Sequence, residues 1–94
     1  MSPPSPSLDQ AEVLALRALA HVAGDESLGP RFLELSGMDA AGLRAQAGNA
    51  DVLAAVLGFL AGHEADLLAV AEALDVKPAV LAEAAQRLAG PIWE

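Results

Sequence analysis

The sequence predicts an all-α domain, a compact bundle of five to six helices. Three observations carry this. Alanine (22) and leucine (16), the strongest helix formers, fill 38 of the 94 positions. Tyrosine is absent and phenylalanine and tryptophan total three, so the residues that suit strands are scarce. Apolar residues recur at helical spacing between glycine and proline punctuation.

Residues 1–6, Met1-Ser2-Pro3-Pro4-Ser5-Pro6, read as a flexible proline-rich tail, because three prolines cannot propagate a helix. Pro3 and Pro6 fit P-x-x-P, which also describes a proline-rich ligand. Residues 7–94 read as a single helical domain. Ser7 and Gln10 form a capping box for the first helix, Leu8 to Ala23. Its polar residues Gln10, Arg17 and His21 share one stripe; Leu8, Ala11, Ala15, Leu19 and Val22 line one apolar side, and Leu16, Ala20 and Ala23 another. Gly24 is placed to end it, with His21 and Asp25 as a surface pair.

Asp25 or Ser27 caps a short second helix through Ser36, with Pro30 in its first turn and Gly37 after it. Asp39 caps a third, Ala40 to Ala47, closed by Gly48. Asn49 or Asp51 opens a fourth, Val52 to Ala61, which is apolar all round and therefore central, with Gly58 allowing a close helix contact. The fifth spans Glu64 to Leu74, with Leu67, Leu68, Val70, Ala71 and Leu74 apolar. Pro78 opens the sixth, which runs to Ala89 and stops at Gly90-Pro91. The first and fourth helices are expected to form the spine. Ile92-Trp93-Glu94 is left as an apolar C-terminal hook.

An offset of 38 residues aligns the two halves at eight identities, among them Gly24/Gly62, Leu43/Leu81 and Ala47/Ala85, where composition alone gives about four. Two accounts stand: two similar three-helix, helix-turn-helix-like units, or a bundle whose Ala/Leu bias imitates a repeat.

Composition excludes several classes. There is no cysteine for a disulfide scaffold or a thiolate metal site. The apolar fraction of 54% is too high for a disordered chain. The longest stretch free of strongly polar side chains, Val52 to Gly62, is eleven residues, against the roughly twenty of a membrane span. No signal-peptide pattern opens the chain, so a cytoplasmic location without membrane is expected.

Leu67 to Gln86 is the best motif candidate. Val70, Leu74, Val76, Leu81 and Ala84 fit the buried positions of a helix-turn-helix, and Ala71 fits its close contact. Asp75 stands where glycine is usual. Lys77 within it and Arg87 just after it are the only cations this surface offers, and residues 49–94 carry seven acidic and two basic side chains, net −5. Phosphate contacts require Lys and Arg, so this charge disfavours nucleic acid.

Catalytic signals are few. His63-Glu64 begins a zincin-like motif that fails at Leu67. His63, Glu64 and Asp66 otherwise read as a helix start, where acids oppose the dipole. Glu34 and Glu72 occupy matching repeat positions but read as solvated faces. No serine lies in a G-x-S-x-G elbow, and no phosphate-binding glycine loop occurs.

Leu14-Ala15-Leu16-Arg17-Ala18-Leu19-Ala20, Arg31-Phe32-Leu33-Glu34-Leu35-Ser36-Gly37-Met38-Asp39 and Val52-Leu53-Ala54-Ala55-Val56-Leu57-Gly58-Phe59-Leu60 resemble a family of short alphaproteobacterial proteins catalogued as a domain of unknown function. The resemblance covers nearly all the chain after the tail. It implies a bacterial cytoplasmic helical protein and brings no activity or site residues. Arg17 departs from the glutamine that the family pattern leads one to expect.

The resulting expectation is a non-enzyme without cofactor or metal, a protein-interaction or regulatory module. Its net charge of −8 suits a basic protein partner, and an uncovered apolar face of the first helix suits a homodimer. The partner contacts named by the sequence are Phe32, Trp93, Lys77 and Arg87. Trp93 either folds back over the bundle or anchors a partner. The alternative is a divergent helix-turn-helix DNA-binding regulator acting through Lys77 and Arg87.

Overall fold

A reciprocal capping box opens the first helix: Gln10 N–H donates to Ser7 Oγ (3.1 Å) and Ser7 N–H to Gln10 Oε1 (2.9 Å). The computed structural model describes residues 6–89. In chain order they form α1 (Leu8–Gly24), α2 (Leu28–Ser36), α3 (Ala40–Ala45), α4 (Ala50–Ala61), α5 (Glu64–Leu74) and α6 (Pro78–Ala89), with no strand among them. Ile92, Trp93 and residues 1–5 lie outside the described residues.

Three further starts have a local cause. Asn49 caps α4 by accepting from Asp51 N–H at 2.8 Å, and Asp39 caps α3 through Gly42 N–H at 2.6 Å. At α2 Ser27 holds the cap position, but the Asp25 carboxylate does the capping, accepting from both Ser27 and Leu28 N–H at 2.8 Å. Asp25 therefore turns toward α2, and no ion pair joins it to His21 among the described residues.

The core is a three-helix centre. α6 packs extensively on both α1 and α4, which also touch each other. The expected two-helix spine thus has a third member, since Leu81, Ala84 and Ala85 of α6 are all buried. Alanines Ala11, Ala15 and Ala18 of α1 are fully buried, and side chains this small let helices approach closely. α5 leans on α1, α4 and α6; α2 leans on α1 and α4. α3 makes no extensive contact with any other helix and buries only Leu43. It stops at Ala45, two residues short of the expected end, where Gln46 N–H bonds back to Gly42 and Leu43 carbonyls.

Three further sequence expectations need correction. α4 is not buried all round: Val52, Leu53, Val56, Leu57, Phe59 and Leu60 are buried, while Ala55 and Gly58 face outward. Gly58 makes no close helix contact, since a Cβ there would meet nothing within 4 Å. The close approach lies instead at buried Gly29, where a Cβ would sit 3.0 Å from the Val22 carbonyl oxygen. Leu68 of α5, read as an apolar-face residue, is 46% exposed.

The 38-residue offset reappears in the backbone. α2 and α5 end 38 residues apart, at Ser36 and Leu74, and α3 and α6 begin 38 apart, at Ala40 and Pro78. The two left-handed residues among those described, Gly37 (φ 74°) and Asp75 (φ 58°), are also 38 apart. Met38 and Val76 follow them, and both pack against the core. Behind Asp75, Val76 N–H bonds the Ala71 carbonyl at 2.9 Å, a Schellman closure of α5. Aspartate here bears a left-handed backbone and a negative charge at the negative end of the helix dipole.

Among the described residues no single helix is long and apolar enough to cross a membrane; α4 and α5 reach that apolarity only together and are bent by 114° at their junction.

Gly58→Ala is expected to stabilise the fold by about 0.5–1 kcal/mol, and Asp75→Gly by about 1 kcal/mol. Gly29→Ala is expected to destabilise it by about 1–3 kcal/mol, because the facing α1 backbone must give way. Thermal melts of the three variants check this. Equal shifts for Gly58→Ala and Gly29→Ala would contradict the assigned packing.

Candidate functional site

Of the five basic residues, three act within the fold. Arg17 Nη2 donates to the Leu74 carbonyl at 2.7 Å, satisfying an orphan acceptor at the end of α5. Arg31 Nη2 pairs with Asp66 Oδ2 at 2.8 Å, tying α2 to α5, and its guanidinium lies 5.6 Å from the Phe59 ring centre. Arg87 Nε donates to the carbonyl of buried Pro6 at 3.3 Å, fastening α6 to the start of α1. Arg44 and Lys77 are exposed and form no ion pair among the described residues.

Of the four contacts named by the sequence, the three that are described, Phe32, Lys77 and Arg87, are not brought together. Phe32 is 2% exposed and packs edge-on against Phe59, ring centres 5.5 Å apart, so it is floor rather than protruding anchor. Lys77 and Arg87 stand at opposite ends of α6, about 15 Å apart along its axis, with exposed Glu83 between them. Trp93 lies outside the described residues. The buried and half-buried set of the α5–α6 motif is otherwise as its sequence pattern requires: Val70, Ala71, Leu81 and Ala84 are buried, Leu74 and Val76 half-buried.

A groove of ≈ 610 Å³ lies between α1 and α3, floored by α2. Its α1 wall is Leu16, Leu19, Ala20 and Ala23; Phe32, Leu33 and Pro30 come from α2; Leu43, Arg44 and Ala47 close it from the α3 side. Leu16 is 44% exposed, although it is a leucine on the longest helix. The second apolar stripe of α1 thus opens into this groove, while Ala11, Ala15, Leu19 and Val22 of the first stripe are buried. Asp25 and Glu26 stand at one end, at the α1–α2 corner, and Arg44 stands on α3. The two backbone N–H donors at the start of α2 hold the Asp25 carboxyl below the usual carboxylate range, Leu28 first and then Ser27, with a smaller pull from His21. The sequence signal for the α1 wall was its Leu16, Ala20, Ala23 spacing. Leu33, Leu43 and Ala47 gave none, because only the set-off of α3 makes them a wall.

A shallower depression of ≈ 220 Å³ lies beside Leu35, Gly58, Phe59 and His63. The His63 ring lies tilted against Phe59, and its Nδ1 is 3.1 Å from the Phe59 carbonyl oxygen. Among the described residues no three His, Asp or Glu side chains are arranged to hold a metal ion. Asp66 is engaged by Arg31, and Glu34 and Glu72 are each exposed, on α2 and α5.

Residues 8–91 match a family described as a protein of unknown function (DUF3572). No curated protein and no solved structure matches the chain.

Because the Asp25 carboxyl is lowered in the folded state, the stability it contributes is present above its unfolded pKa, about 3.9, and is lost as pH falls through the folded value. Asp25→Asn keeps an acceptor for the two N–H groups but no longer titrates. The difference in melting temperature between wild type and Asp25→Asn is expected to shift against the wild type between pH 5 and 2, measured as a pH series of melts. A difference independent of pH would refute the capping role of the carboxylate.

Proposed function

The chain belongs to the DUF3572 family, and from this surface we propose that it is a protein-interaction module whose contact face is the α1–α2–α3 groove. One observation carries the reading: Leu16, Ala20 and Ala23 are apolar, exposed and contiguous with the groove, yet the core is closed without them. Apolar surface collected in a concavity and edged by charge is the usual anatomy of a recognition site. Asp25 and Glu26 at its end, together with the net charge of −8, favour a partner with basic residues.

The same charge speaks against the helix-turn-helix alternative. Arg87 is spent on the Pro6 carbonyl, and Lys77 stands apart from it, so the motif offers no contiguous basic patch for phosphates.

The test is photo-crosslinking in the native cell extract with p-benzoylphenylalanine in place of Ala20, compared with the same group in place of exposed Ala79 on α6. A discrete crosslinked product from Ala20 alone, lost on Leu33→Glu, is the expected outcome. Products of equal yield from both positions, or from neither, would count against the groove as a contact face.

A further inference from the structure

We infer that Met38 is an oxidation-sensitive latch for α3: its conversion to the sulfoxide by a hydroperoxide frees α3 and takes down one wall of the groove. The consequence for binding rests on the groove being a contact face; the latch itself does not.

The argument starts from how little holds α3. Among the described residues every hydrogen bond of residues 38–47 stays within residues 36–49, and no ion pair reaches them. The helices α2, α5 and α6, by contrast, are each tied to a distant element through an arginine. α3 buries only Leu43 and touches no other helix extensively. Its hold is therefore apolar, through Leu43 within the helix and through Met38 before it and Ala47 after it, both packed against the core.

The second half shows what this means. Val76 stands 38 residues after Met38, likewise next to a left-handed residue and half-buried against the core. Behind Val76, α6 is fixed independently by buried Leu81, Ala84 and Ala85. With one buried side chain in place of three, α3 leaves a larger share of its anchorage to Met38.

Chemistry singles out the same residue. The chain has no cysteine and two methionines, Met1 and Met38. Half-buried, Met38 meets solvent as well as the core. A lone pair of its sulfur attacks the hydroperoxide; the S–O bond forms as the O–O bond breaks. The proton on the transferred oxygen passes to the departing one, which leaves as water or an alcohol. Sulfur loses two electrons and the peroxide gains them. The product places a strong dipole where an apolar thioether packed, and such a group is costly to keep buried unpaired. Turning it out to water moves α3 without breaking a hydrogen bond to another element. Leu43, Arg44 and Ala47, which close that side of the groove, go with it.

The test is amide hydrogen exchange on the full chain before and after hydrogen peroxide, with the peroxide then removed. Peptide mapping locates the added oxygen, since the tryptic peptide Phe32 to Arg44 contains Met38 and not Met1. In the oxidised protein the Leu43, Ala45 and Gln46 amides are expected to exchange about tenfold faster, with buried Leu57 and Leu81 unchanged. Met38→Leu keeps an apolar side chain and is expected to abolish the response while Met1 still oxidises. Met38→Gln is expected to reproduce it without peroxide. The Ala20 crosslink is expected to fall about fivefold on oxidation of wild type and to persist in Met38→Leu.

Oxidation at Met38 with α3 exchange unchanged would overturn the latch. So would an equal acceleration in α4 and α6, the same response in Met38→Leu, or a Met38 that resists peroxide while Met1 reacts. Faster α3 exchange with an undiminished crosslink would remove the effect on binding and leave the latch. If Ala20 gives no crosslink even before oxidation, the contact-face reading falls, and the exchange result alone decides the latch.

Discussion

Everything in this fold depends on α6 being accepted between α1 and α4. Leu81, Ala84 and Ala85 enter the core from α6, where they join the fully buried alanines of α1 and the leucines and valines of α4. Small side chains on two of three helices permit close approach, and the larger ones of α4 fill what space remains. No polar side chain is buried among the described residues, so the core is held by apolar packing alone. The cost of that arrangement falls on the periphery. α2 and α5 cover the flanks, and α3 is left outside.

The arginines fasten this periphery. Arg17 reaches the end of α5, Arg31 joins α2 to Asp66, and Arg87 holds Pro6 beside the start of α1. All three bonds span residues far apart in sequence, and each ties a flank or terminus to another element. Exposed ion pairs contribute little stability singly, so their effect is chiefly on orientation. They also shape the surface electrostatically. With three of five cations committed to such contacts, the remaining exterior is dominated by carboxylates. The helix-turn-helix pattern of α5 and α6 is visible as packing geometry: two helices joined by a left-handed connector at Asp75, with Ala71 buried.

Much of the helical layout was legible. Capping at Ser7, Asp39 and Asn49, the proline at Pro78 and the spacing of Leu81, Ala84 and Leu88 are local, and local rules placed α5 and α6 at their observed bounds. The repeat was visible as eight identities, and Gly37 and Asp75, 38 residues apart, share a left-handed conformation without sharing a side chain. Gly58 and Gly29 show where local reasoning stopped. Both are helical glycines, and sequence could not say which faces another backbone.

The candidate site divides in the same way. By itself the sequence determined the helices, their caps, the acidic surplus and the second apolar stripe of α1, since each depends on residues within a few turns of one another. Only the tertiary structure decided that this stripe borders a groove. That outcome turns on α3 ending after six residues and standing off α1, while its counterpart α6 enters the core. Competition among helices for one core is a property of the whole chain, and no window of local sequence contains it.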